Sequence, residues 1–152
     1  MDATSARTDS GCREDATDAA GPLKHVRPAA LAAALVHRHA GYWKNHPQAW
    51  PVSTITVGGY TYTKEQAIAG LGRVGKDKTT TMFSSLVPAM LNVIIGNDPS
   101  CVASTITLAN AWMATYGPVG SNVPASSCAW TVGEPLHKQM DAYSNGLLCA
   151  PH

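Results

Sequence analysis

The amino-acid sequence predicts a mainly α-helical domain in which about four helices pack with one small β-hairpin over residues 54–63. Two patterns carry this prediction. Alternating polar and apolar residues flank a Gly-Gly pair, as in a two-stranded hairpin. The segments that follow place apolar residues at helical spacing between capping and stop residues. At 152 residues the chain is long enough for one domain with its own core and short for two.

The hairpin is the most sharply defined element of the sequence. Gly58-Gly59 supplies the two positive-φ residues of a tight turn, which pairs Val57 with Tyr60 and Ile55 with Tyr62. All four paired side chains are then expected on one face and the threonines on the other, because side chains alternate along a strand.

A short helix is expected directly after the hairpin. Thr63 caps its first turn, and Gln66, three residues further on, completes a capping box. Gly70 or Gly72 is expected to end this helix.

Three longer helices are predicted from their apolar spacing, over about residues 80–95, 101–116 and 135–145. Pro88 lies inside the first of them and predicts a kink near Ser84 or Ser85. Gly117-Pro118 is expected to stop the second helix. Pro135 is expected to start the third, because proline is favoured at the first helical position.

The chain is expected to divide into a tail or targeting segment, residues 1–40, and a helical domain, residues 41–152. Residues 1–20 are polar and acidic and contain no aromatic side chain, so they bury too little apolar surface to order themselves. The Ala-rich run at residues 28–36 follows Lys24 and Arg27. It fits either a displaced signal-peptide core or a short helix over residues 28–37.

The charge pattern argues against two classes of partner. Only 14 % of the residues are charged and the net charge is +1, without a basic cluster. A nucleic-acid partner would require clustered Lys and Arg, and a membrane surface would require a polybasic stretch. No apolar stretch approaches the ~20 residues of a transmembrane helix. We therefore expect neither nucleic-acid binding nor a transmembrane segment.

The four cysteines favour disulfides over a zinc site. Cys12, Cys101, Cys128 and Cys149 are even in number and lack the close spacing of zinc ligands. Cys101 and Cys128 both follow turn-like segments and are predicted to pair, which leaves Cys12 and Cys149 as a second candidate pair. The alternative is four thiols in a reducing cytosol.

An aromatic, proline-fixed loop is the candidate binding site. It spans residues 41–51, and the residues expected to contact a ligand are Tyr42, Trp43, Lys44, Asn45, His46 and Trp50. Such a loop can stack on a sugar or clamp a peptide. The alternative is that its aromatic side chains close the open side of the core.

No catalytic motif stands out, and whether the chain is an enzyme is left open, with a non-enzymatic role favoured. Paired carboxylates can hydrolyse glycosides, which makes His46, Glu134 and Asp141 the candidate groups for a hydrolase. For Glu134, complementing the dipole of its own helix is the alternative role. No metal ion or cofactor is predicted.

The loop sequence GYWKNHPQAWP, residues 41–51, resembles a GYWKNHP-x-x-WP motif of uncharacterised secreted bacterial proteins. The resemblance continues through the hairpin, Leu91-Asn92 and residues 140–146, and so covers residues 41–152. It implies an extracellular location, often beside other surface modules, and no named activity. Relatives commonly carry a cysteine just before the motif and another near the C-terminus. Cys149 matches the C-terminal cysteine of these relatives. Where they carry the cysteine before the motif, this chain has residues 37–40, which contain none.

Together these patterns predict an extracellular or cell-surface domain of structural or adhesive type. A glycan or another surface protein is the expected partner. The alternative function is a secreted hydrolase acting on cell-wall or carbohydrate material.

Overall fold

The computed structural model describes residues 37–148, and it confirms a mainly helical fold with one two-stranded hairpin. The predictions for the Ala-rich run, Cys12 and Cys149 lie outside the described residues. The helices are α1 (Ala40–Asn45), α2 (Lys64–Leu71), α3 (Lys78–Ile94), α4 (Ala103–Tyr116) and α5 (Cys128–Ser144). A 3₁₀ turn spans Pro47–Ala49, and the strands are β1 (Thr54–Val57) and β2 (Tyr60–Thr63).

Helix α3 is the centre of the fold. It packs against each of the other four helices and against β1. Its Met82, Phe83, Leu86, Val87 and Leu91 are all fully buried, at 0 % exposure. The core therefore surrounds α3, because this helix is apolar on nearly every side.

The hairpin has the predicted register. Ile55 pairs with Tyr62 and Val57 with Tyr60, and both turn glycines have positive φ. Ile55, Val57 and Tyr62 are buried, but Tyr60 is 41 % exposed, because it borders a surface groove at the turn end of the hairpin.

The turn of the hairpin docks closely on α4. The Gly58 N–H donates to Oδ1 of Asn110 at 2.9 Å. A Cβ atom at Gly58 would lie 2.7 Å from backbone atoms of Met113 and Ala114. Glycine is thus required at this position for two reasons: its φ is positive, at 60°, and α4 leaves no space for a Cβ atom.

Helix α2 begins and ends as predicted. Thr63 caps it, the reciprocal hydrogen bonds to Gln66 complete the capping box, and Gly72 is the C-cap residue. The basic segment that follows leads into α3.

Asp77 sets the start of α3, two residues before the predicted start. Its carboxylate accepts hydrogen bonds from the backbone and side chain of Thr79 and from the N–H of Val123. Burial by itself raises the pKa of Asp77, but these hydrogen bonds and one from Asn122 outweigh it and lower the pKa. The same side chain therefore caps a helix and holds the loop before α5.

Two helix starts differ from the predictions. Helix α4 begins two residues later than expected. Helix α5 begins at Cys128 and not at Pro135, because the Ser127 side chain caps the earlier turn by accepting the Trp130 N–H at 3.2 Å. Pro135 lies on the exposed side of α5, where the carbonyl that loses its helical donor is within reach of water.

Asn92 on α3 ties the entering chain to the helical core. Its Oδ1 accepts the Arg38 N–H at 2.8 Å, and its Nδ2 donates to the Arg38 carbonyl at 2.7 Å and to Ser144 Oγ at 3.2 Å. The Asn92 side chain is 0 % exposed. Beside this contact, His37 Nδ1 lies 2.6 Å from the carbonyl oxygen of Tyr143. The packed domain thus includes residues 37–40, four residues before the predicted boundary at Gly41.

Helices α4 and α5 run antiparallel. Trp112, late in α4, donates its indole N–H to the carbonyl of Ala129 in the first turn of α5, at 2.8 Å. Thr105, early in α4, donates to Gln139 Oε1 near the other end of α5, at 2.5 Å.

This antiparallel pairing separates Cys101 from Cys128. Cys128 begins α5, and Gln139, level with the start of α4, lies about 16 Å further along at 1.5 Å per residue. Cys101 precedes α4 at that far end, whereas a disulfide requires Cα atoms within about 7 Å. The predicted Cys101–Cys128 bridge is therefore wrong, and no disulfide joins two cysteines of residues 37–148. Neither sulfur is a free thiol.

We predict that Asn92→Leu lowers the free energy of unfolding by about 3 kcal/mol, because it leaves the Arg38 backbone and Ser144 without their partners in a buried site. Urea unfolding followed by tryptophan fluorescence measures this. Asn45→Ala is the control, since Asn45 is exposed, and its change is expected within about 0.5 kcal/mol. Equal effects of the two substitutions would contradict the role of Asn92.

Candidate functional site

Two of the six predicted binding residues, Trp43 and Trp50, belong to the core. They are 1 % and 8 % exposed, and their rings meet edge to face at 6.3 Å. The Trp50 indole N–H donates to the Trp43 carbonyl at 2.8 Å, and the Trp43 indole N–H donates to the Arg38 carbonyl at 3.2 Å. For these two residues the prediction of ligand contact is wrong, and the alternative of a core-closing role is correct.

Tyr42 is held in a stack along one side of α1. The His46 ring lies 4.3 Å from the Tyr42 ring at an interplanar angle of 16°, and the Arg38 guanidinium lies 4.3 Å from the same ring centroid. The two groups cannot occupy the same space, so they cover opposite faces of Tyr42. His46 Nδ1 also lies 2.9 Å from the Tyr42 carbonyl oxygen. Neither face of Tyr42 is open to a sugar ring.

The exposed remainder of the predicted site is small and basic. We call Lys44, Asn45 and the outer face of His46 the α1 surface. Lys44 and Asn45 are exposed, and His46 is half-buried. Nearby, the Lys64 ammonium donates to the Pro47 carbonyl at 3.1 Å, which fixes the 3₁₀ turn against α2. The α1 surface offers hydrogen-bond donors and positive charge to a partner.

Within residues 37–148, no hydrogen bond or ion pair joins His46 to either carboxylate of the candidate hydrolase site. His46 follows α1, which packs on α2 and α3, whereas Glu134 and Asp141 lie on α5, which packs on α3 and α4. Glu134 forms an exposed ion pair with Lys138 at 3.7 Å, one turn along the same helix. This ion pair is a surface contact within one helix. Because α5 begins at Cys128, Glu134 lies beyond its first turn, so the predicted role of complementing the helix dipole is wrong.

The structure brings together one serine and one histidine that the sequence analysis did not connect. His137 Nδ1 on α5 lies 2.9 Å from Ser85 Oγ on α3, and that hydroxyl donates to the Met82 carbonyl at 3.1 Å. Since the single hydroxyl proton is used, His137 donates to Ser85. Ser85 is 2 % exposed, so no substrate reaches its oxygen. The contact couples two helices and is not a nucleophile with its base.

Burial sets the protonation of His137. Burial lowers the pKa of the imidazole. The carboxylates of Asp141 and Glu134 raise it again in part, and the ammonium groups of Lys78 and Lys138 lower it further. The neutral ring is therefore the form that the folded state favours.

A groove of about 390 Å³ lies between the hairpin, α2 and the loop after α4. Its lining includes Tyr60, Gln66, Gly70, Arg73, Pro118 and Val119. Its volume falls within the range of small-molecule sites. Sequence reasoning does not identify this groove because residues 118–119, which complete it, lie far along the chain from residues 60–73 and carry no motif. The only sequence signal is an aromatic residue at the start of β2, Tyr60, and an arginine just after α2, Arg73.

A second groove, of about 560 Å³, lies between residues 75–78 and 124–126. Lys78 borders it, and its ammonium donates to the Gly75 carbonyl at 3.2 Å and lies 5.9 Å from the centroid of the Trp130 ring. Of the two lysines that line this groove, Lys76 and Lys78, the second is thus already used within the protein.

Among residues 37–148, no group of three or more His, Cys, Asp or Glu side chains is arranged to hold a metal ion. None of the helices in this part of the chain has the length and apolar character to cross a membrane. Comparison with known protein families, curated proteins and solved structures finds no match.

We predict that His137 makes stability fall as the pH drops below about 6.5, the ordinary histidine pKa. The unfolded chain binds a proton there that the folded chain takes up only at lower pH, so protonation favours unfolding. Urea unfolding at pH 7.5 and at pH 5 measures the loss of unfolding free energy between the two. This loss should be smaller for His137→Asn than for the wild type, and the asparagine amide can still donate to Ser85.

His39→Asn is the control for this experiment, because His39 is exposed and asparagine, a favoured N-cap residue, can replace it as the cap of α1. NMR titration of the wild-type imidazole should independently place the pKa of His137 below that of an unfolded histidine. An ordinary or raised pKa, or equal pH dependence in all three proteins, would refute the prediction.

Proposed function

We propose that this chain is an extracellular or cell-surface domain of structural or adhesive type, stapled by disulfides, with a glycan or another surface protein as its partner. The observation that carries the proposal is the state of the two cysteines in residues 37–148. Neither is a free thiol, and the antiparallel helices prevent them from bonding to each other. Two separate disulfides fit this arrangement, and disulfides persist in oxidising compartments.

The two cysteines lie at opposite ends of α5. Cys101 lies near its C-terminal end, since the Tyr143 hydroxyl donates to the carbonyl of Asp98 at 3.0 Å. Cys128 begins the helix at its other end. We therefore infer that the two cysteines belong to different disulfides.

The sequence resemblance at residues 41–51 supports the same location, since it points to secreted proteins. The structure gives that segment a scaffolding role through Trp43 and Trp50, and it leaves the α1 surface exposed on a rigid support. A rigid surface binds at a lower entropic cost than a mobile loop, which suits adhesion. The hydrolase alternative gains no support from the placement of His46, Glu134 and Asp141.

We predict that non-reducing peptide mapping of the full chain, exported to an oxidising compartment, finds Cys101 and Cys128 in two different disulfide-linked peptides. Thiols are blocked before digestion, and a reduced sample is the control. A Cys101–Cys128 peptide would contradict the antiparallel arrangement. Four blocked thiols in protein from its native compartment would contradict the extracellular proposal.

We predict that the purified chain binds a subset of glycans or proteins on a surface-molecule array, and that the α1 surface contributes. The double substitution Lys44→Gln and Asn45→Ala should weaken that binding about fivefold or more through loss of a charged and a neutral donor. Lys138→Gln is the control, because it removes the same charge on α5. Equal binding by both variants would exclude the α1 surface as the contact region.

A further inference from the structure

We propose that the groove between the hairpin, α2 and the loop at Pro118-Val119 is a binding site for a saccharide that carries a carboxylate. This inference rests on the proposed function for the source of the ligand, which would come from extracellular material. The site itself is defined by its own residues, and it is distinct from the α1 surface.

Arg73 supplies the charge that the ligand would meet. It is exposed and, within residues 37–148, forms no ion pair or side-chain hydrogen bond. A guanidinium donates two parallel hydrogen bonds to one carboxylate, a geometry that a lysine cannot reproduce. The guanidinium of Arg73, which has no partner among residues 37–148, therefore favours a carboxylate ligand over a neutral one.

Gln66 adds neutral donors beside this charge. Its Oε1 accepts the Thr63 N–H at 2.9 Å as part of the capping box of α2. Because its oxygen is held there, the two N–H donors of its amide remain available to the groove, with the side chain already fixed. Hydroxyl or carboxylate oxygens are the matching groups on a ligand.

Tyr60 supplies an open aromatic face. Within the described part of the chain, its ring has no aromatic or cationic partner and its hydroxyl has no hydrogen bond, and the residue is 41 % exposed. In contrast, Tyr42 is covered on both faces, and Tyr62 packs against Phe83 and accepts the Val119 N–H through its hydroxyl. A sugar ring has an apolar C–H face and a polar rim, which match an aromatic plane bordered by donors.

The groove is preformed. The hydrogen bond of 3.2 Å from the Val119 N–H to the Tyr62 hydroxyl joins one wall to the hairpin. At the floor, a Cβ atom at Gly70 would lie 2.7 Å from the Phe83 ring, so glycine permits this close packing. Walls that do not reorganise reduce the cost of binding.

The shape and chemistry favour a saccharide over an acidic peptide. A peptide bound as an added strand needs a row of backbone donors and acceptors, whereas the donors identified here are side chains around one aromatic ring. The groove volume of about 390 Å³ suits a short oligosaccharide segment.

The test is an NMR-monitored titration of the full, oxidised chain with tetragalacturonate. We expect saturable shifts at Tyr60, Gln66, Arg73 and Val119 and little change on α5. Two matched probes are the methyl ester of the same tetramer, which lacks the charges, and tetraglutamate, which carries them on a peptide. Both should bind about tenfold more weakly or worse.

Arg73→Gln and Tyr60→Thr should each weaken tetragalacturonate binding about tenfold. Arg73→Lys keeps the charge but not the paired donors, so it should bind more weakly than the wild type and more tightly than Arg73→Gln. Lys138→Gln, with the same loss of charge away from the groove, should bind as wild type. Spectra of the unliganded variants check that the fold is retained.

Several results would overturn the inference: no saturable shifts, shifts outside the groove, or unchanged binding in Arg73→Gln. If the methyl ester binds equally well, the carboxylate is not recognised. If tetraglutamate binds more tightly, the ligand class is an acidic peptide and not a saccharide. None of these results touches the disulfide mapping or the α1-surface variants, so the proposed function stands or falls separately.

Discussion

The packing of this domain depends on the buried side chain of Asn92. A single amide satisfies both backbone groups of Arg38 and one hydroxyl of α5, and all of its donors and one acceptor position are used. Since an unpaired polar group in the core is costly, the segment before α1 is held against α3 in one position. Three segments far apart in the chain, residues 41–51, Leu91-Asn92 and residues 140–146, meet around this contact.

The position of Arg38 in turn organises the surface of α1. Its carbonyl receives the Trp43 indole, and its guanidinium covers one face of Tyr42 while His46 covers the other. The aromatic segment therefore stabilises the domain with most of its rings, and few of its side chains remain for a partner. Aromatic density alone did not distinguish these two roles. What distinguishes them is which ring faces are already occupied, and by that criterion Tyr60 is the better candidate for ligand contact.

Local chemistry accounts for the elements that the sequence predicted correctly. The Gly58-Gly59 turn and the capping box of Thr63 and Gln66 involve residues within a few positions of each other, so their geometry is contained in the chain itself. The start of α5 was misplaced for a related reason. Pro135 is a common first residue, but the cap at Ser127 is stronger, and an exposed proline is tolerated inside the helix.

The sequence by itself determined the helical class, the hairpin with its register, and the end of α2, because each depends on short-range hydrogen bonds and side-chain periodicity. Only the tertiary structure decided three other features: the separation of Cys101 from Cys128, the burial of Trp43 and Trp50, and the groove beside Arg73. Each of these depends on which helix faces which and in what direction. That choice is made by side chains far apart in the chain, whose contacts no local spacing records.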